Sequence, residues 1–108
     1  MTATSLHPTE ALHRELWTSL ASLLRSYTAA HGLHNGRHAV IESTEEKITA
    51  RHGEKWLILT RNHHSVTWTR ENGDEGAMEL KENGSLLGPS GEQAMDLQAE
   101  HWARELMQ

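Results

Sequence analysis

Apolar residues recur at spacings of three and four between residues 9 and 31, where Leu12, Leu16, Leu20, Leu23, Leu24 and Tyr27 form a stripe that Trp17 and Ala21 widen. That period predicts a long helix with one side turned to a core. Pro8 suits a first helical position, which has no amide bond to lose, and Gly32 can take the left-handed conformation that ends a helix. From residue 38 to 87 the pattern changes to short alternating runs, broken at Thr44-Glu45, Gly53-Glu54, Asn62-His63, Asn72-Gly73 and Asn83-Gly84. Alternation with a period of two predicts strands buried on one side, and such small polar pairs favour tight hairpins. After Pro89, the run Ser90-Gly91-Glu92-Gln93 has the spacing of a helix capping box, with Met95, Ala99, Trp102 and Leu106 following on one helical face. A second helix is expected there.

The hairpins test one another, because a one-residue slip in register sends every side chain to the opposite face. Turns at the first three pairs set Ile41 opposite Ile48, Ala50 opposite Leu57, and Leu59 opposite Val66. A loop at Asn72-Gly73-Asp74 then sets Trp68 opposite Met78, and Asn83-Gly84 returns Leu87 beside Leu80. All of these residues share one apolar face, which the two helices must cover. The expected fold is therefore α+β: a two-layer sandwich of N-terminal helix, five- or six-stranded antiparallel meander and C-terminal helix, with both helices on one sheet face. Residues 1–8 read as a flexible tail and 9–108 as a single domain. This layout resembles the frataxin topology over nearly the whole chain. The resemblance is one of topology alone, because the first helix carries only Glu10 and Glu15 where that family has an acidic ridge for iron and partners, and no matching central-strand motif surrounds Trp56.

The other face of the sheet has no helix to cover it. Most of its residues suit water, including Thr49, Thr60, Thr67 and the pair Glu42 and Lys47. The exception is an apolar group of Trp56, Ile58 and Val40 beside Arg51, which the fold does not need to expose. Trp17, Trp68 and Trp102 lie on core-directed stripes and read as packing residues.

Composition narrows the function classes. A length of 108 residues leaves room for one core. The formal net charge of −5 is concentrated after residue 72, with no basic stripe, so nucleic-acid binding is not expected. No apolar run is long enough to span a membrane, and Met1 to Pro8 lacks the blocks of a signal peptide, so no membrane partner and a cytoplasmic location are expected. Cysteine is absent, which excludes disulfides, thiolate zinc sites and cysteine nucleophiles.

Histidine is the compositional outlier, with nine residues. His31, His34, His38 and His52 converge on one end of the expected sheet, and neutral imidazoles there could hold a divalent transition metal such as zinc, copper or nickel. Gly32 and Asn35-Gly36 interrupt any helical ligand pair, and solvated loop histidines are the simpler reading. There is no nucleophile elbow, Gly-rich phosphate loop or His-Glu-x-x-His element, and the acid pairs Glu45-Glu46 and Asp74-Glu75 fall at turns where charge is simply hydrated. No catalytic residue or cofactor is assigned. The leading expectation is a small non-catalytic binding or assembly module that uses Trp56, Ile58, Val40 and Arg51 to form a homodimer or hold another protein. The alternative is a ligand- or metal-binding domain built on the four histidines.

Overall fold

The computed structural model describes residues 8–33 and 36–108. The chain runs α1 (Pro8–Gly32), β1 (Val40–Ser43), β2 (Lys47–His52), β3 (Lys55–Asn62), β4 (Ser65–Arg70), β5 (Glu75–Leu80), β6 (Ser85–Gly88), β7 (Gly91–Ala94) and α2 (Met95–Met107). The strands form one antiparallel sheet in sequential order, β1 to β7. Both helices pack on one face of it, so the α+β sandwich is as expected and frataxin-like by topology. Except for Pro8, the expected tail lies outside the described residues, as does His34.

The core joins Trp17, Leu20, Ala21 and Leu24 of α1 to Ile48, Ala50, Leu57, Leu59, Val66, Leu80 and Leu86 of the sheet, and to Met95, Ala99, Trp102 and Leu106 of α2. Trp17 also donates its indole N–H to the Thr44 carbonyl at 2.9 Å, which ties α1 to the first hairpin. Trp68 lies on the same face, half-buried over Gly76 of the neighbouring strand, where even a Cβ would stand 2.7 Å from its ring.

The register is as expected between β2 and β3 and differs elsewhere. Between β1 and β2 the turn is Glu45-Glu46, and between β3 and β4 it is His63-His64. Each of these shifts pairing by two residues, which keeps every side chain on its expected face. The three-residue loop Glu71-Asn72-Gly73 does the same between β4 and β5. The β5–β6 connection is a correction, because Lys81 pairs with Ser85 around three residues in place of the expected two. That odd shift buries Leu86 and leaves Leu87 37% exposed on the other face. Gly84, at φ 85°, supplies the left-handed residue that ends such a loop.

The sheet has seven strands, and the extra one is β7. Ser90 caps no helix. It sits with Pro89 in the turn from which Gly91–Ala94 folds back on β6, and α2 begins only at Met95. The capping-box spacing is overridden because Ser85 and Asn83 both hydrogen-bond to the Glu92 carboxylate, at 2.5 and 3.0 Å, and hold that segment to the sheet.

Candidate functional site

Val40, Arg51 and Trp56 lie in one row across β1, β2 and β3 on the face without helices. Ile58 lies in the next row, between Thr49 and Thr69. The structure therefore brings the four sequence-predicted residues together, with Val40 one row nearer to Trp56 than the expected register gave. Val40 is 52% exposed, Arg51 is exposed, and Trp56 and Ile58 are half-buried. The Trp56 amide donates to Glu71 Oε1 at 3.1 Å, which fixes the start of β3 against the loop between β4 and β5. Hydroxyls and charges surround the group: Thr60 and Thr67 on the central strands, Glu42, Lys47, Glu75, Glu79 and Glu92 towards the margins.

Of the four expected histidine ligands, His31 ends α1 with Nε2 2.8 Å from Glu100 Oε2 of α2, and so ties the helices together. His52 is half-buried at the end of β2, while His38 is exposed and precedes β1, which starts at Val40. Among the described residues, no group of three or more His, Cys, Asp or Glu side chains is arranged to hold a metal ion.

Two arginines on the core face were not singled out from the sequence. Arg61, only 7% exposed, donates to the carbonyls of Glu45 and His63 at 3.1 and 2.9 Å and lies 3.6 Å from Glu10 of α1. Desolvation pushes the Glu10 carboxyl up, but the hydrogen bond from His63 and the charges of Arg61 and Arg14 together outweigh it and hold the group below its ordinary value. Arg70, at the other end of the core face, meets Glu105 of α2 at 2.6 Å with its guanidinium 5.4 Å from the Trp68 ring. Thus each helix is pinned by one arginine from the β3–β4 hairpin. The signal for this was present as charged residues at core-facing positions of β3 and β4, but their partners on the helices depend on helix placement.

A shallow cleft of about 460 Å³ lies beside this hairpin, where His13 of α1, 9% exposed, is 6.1 Å from the His64 ring and His64 is 3.7 Å from Glu79. Among the described residues, its lining holds imidazoles, carboxylates and the Lys81 amine but no hydroxyl or thiol. Across β6 and β7, the hydrogen bonds from Ser85 and Asn83 lower the Glu92 pKa below its ordinary value.

Among the described residues, no helix is long and apolar enough to cross a membrane. Compared with known proteins, the chain matches no family model, and no curated protein or solved structure is significantly similar to it.

Proposed function

We propose that the chain is a small non-catalytic assembly module whose open sheet face packs on a second copy of itself. The observation that carries this reading is the apolar group Val40, Trp56 and Ile58 beside Arg51, on a face that no described helix covers. A second copy is favoured by the charge pattern. On the β1–β2 flank Lys47 and Arg51 outweigh Glu42, whereas Glu75, Glu79 and Glu92 outweigh Lys81 towards β7. Two copies related by a two-fold axis that reverses the flanks set opposite charges together around an apolar centre.

Burial of the apolar group contributes about 25 cal/mol per Å², against a rigid-body entropy cost of several kcal/mol, so a weak dimer is expected. Sedimentation over a wide concentration range is the test. The wild-type chain should show a reversible monomer–dimer equilibrium, and Trp56→Glu should abolish it with thermal stability little changed. A strictly monomeric wild-type chain refutes the self-association.

A further inference from the structure

The edge strand β1 carries a second recognition feature, independent of the open face. Thr44 N–H donates to the Lys47 carbonyl at 2.7 Å, and from that bond the antiparallel ladder alternates, with Glu42 and Val40 exchanging bonds with Thr49 and Arg51 of β2. The amides and carbonyls of Ile41 and Ser43, and of Ala39 just before the strand, therefore point away from the sheet. No proline, lysine or bulge blunts Val40–Ser43.

Two hollows lie between this edge and α1, on the side where Ile41 projects. One, of about 280 Å³, is lined by Arg25, Thr28, Ala29, His38, Ala39 and Ile41. The other, of about 260 Å³, lies at the Ser43 end, with Thr18 and Ala21 of α1 and the Trp17 ring in its wall. Alternate side chains of a strand added to β1 fall on this side of the sheet at about 6.6 Å intervals. The alanines and threonines of the walls leave room for them.

Charge selects the occupant. Arg25 spans the groove, with Nη2 3.1 Å from Ser43 Oγ, and it forms no ion pair among the described residues. Among the described residues, His38 is the other titratable group of its hollow, and no carboxylate lines that hollow. Arg14 stands over the second hollow, where Glu45 is the facing acid. A second copy paired through β1 would bring two Arg25 side chains, and the α1 helices that carry them, to one seam with like charge.

We propose that the β1 edge and the groove beneath α1 bind an extended acidic peptide segment as an added strand, with small apolar residues at alternate positions in the hollows and a carboxylate on Arg25. Backbone bonds to Ile41 and Ser43 give the affinity, and Arg25 sets the preference for acid.

The probe is a short fluorescein-labelled peptide of alternating valine and threonine with a glutamate at its middle valine position, titrated by anisotropy against the full chain up to about 1 mM. Saturable binding is expected, weaker by about tenfold or more when lysine replaces the glutamate, with the preference reversed in Arg25→Glu. Ser43→Pro removes an outward N–H without touching the bonds to β2, so it should weaken binding by a similar factor, whereas Ser43→Ala, which removes only the hydroxyl that Arg25 meets, should not. Should that variant fail to fold by its thermal melt, a peptide N-methylated at alternate amides against the wild-type chain reads the same bonds from the other side. No saturable binding, binding indifferent to both Ser43→Pro and N-methylation, or indifference to the charge at residue 25 overturns the proposal. So does a dimer that Ser43→Pro dissolves and Trp56→Glu does not, since that makes a second copy the occupant of the edge.

Discussion

Leu86→Ala and Leu87→Ala should differ sharply in cost, although the two residues are adjacent and chemically identical. Leu86 is 1% exposed and packs in the core, whereas Leu87 is 37% exposed on the opposite face. Truncating a fully buried leucine removes its transfer free energy and leaves a cavity that the surrounding side chains only partly fill, a loss of about 2–5 kcal/mol. At Leu87 no enclosed cavity forms and part of the side chain is already in water, so the expected loss is below about 1 kcal/mol. For a domain of this size each kcal/mol shifts the melting temperature by about 4–8 °C, so a loss of ~3 kcal/mol at Leu86 lowers it by roughly 12–24 °C. Urea unfolding followed by tryptophan fluorescence and circular dichroism checks the pair, with the slope in denaturant unchanged so that the midpoints compare directly. The opposite ranking, with Leu87→Ala the costlier change, would refute the three-residue loop and restore the two-residue Asn83-Gly84 turn.

Two further outcomes follow from side chains on either face. Gly76→Ala should destabilise by about 1–3 kcal/mol, because the new methyl meets the Trp68 indole and forces it off its present seat; an unchanged urea midpoint would contradict that packing. Glu10 and Glu92 both have folded-state pKa values below their ordinary 4.5, so each contributes stability that is present above that value and is lost as pH falls through its folded value. Melting temperature measured down through the acidic range should therefore fall less steeply in Glu92→Gln than in the wild-type chain, and identical acid limbs would show that the Ser85 and Asn83 bonds do not favour the carboxylate.

The fold was legible wherever a side chain's face is fixed by parity. Displacements of two residues at the Glu45-Glu46 and His63-His64 turns leave parity intact, so Ile48, Leu59 and Val66 were assigned to the core and Trp56 and Ile58 to the open face despite misplaced turns. Parity failed at Asn83-Gly84, a pair that fits either a two-residue turn or the end of a three-residue loop, and Leu86 and Leu87 exchanged faces with it. The capping-box spacing of Ser90 to Gln93 is a local signal, while the bonds that hold Glu92 to Ser85 and Asn83, and with it the strand, come from the preceding turn and strand. The arginine anchors escaped for a similar reason: the approach of Glu10 to Arg61 and of Glu105 to Arg70 depends on helix placement, which periodicity does not give. The hollows beside the β1 edge exist only once α1 is set over the sheet, so periodicity does not show them.

The strictly sequential order of the sheet has a consequence for how the chain acquires its structure. Every strand pairs with its neighbour in sequence, so hairpins can form within microseconds and extend the sheet one strand at a time without closing a long loop. The helices are different, since α1 precedes all seven strands, α2 follows them, and the two pack against each other. During synthesis the sheet can therefore be largely paired while core residues such as Leu57 still face water beside the place that Trp102 and Leu106 will take. Until α2 emerges from the ribosome, a nascent chain of this architecture is a paired sheet with an unsealed apolar side, the form in which it is most exposed to chaperones and to aggregation.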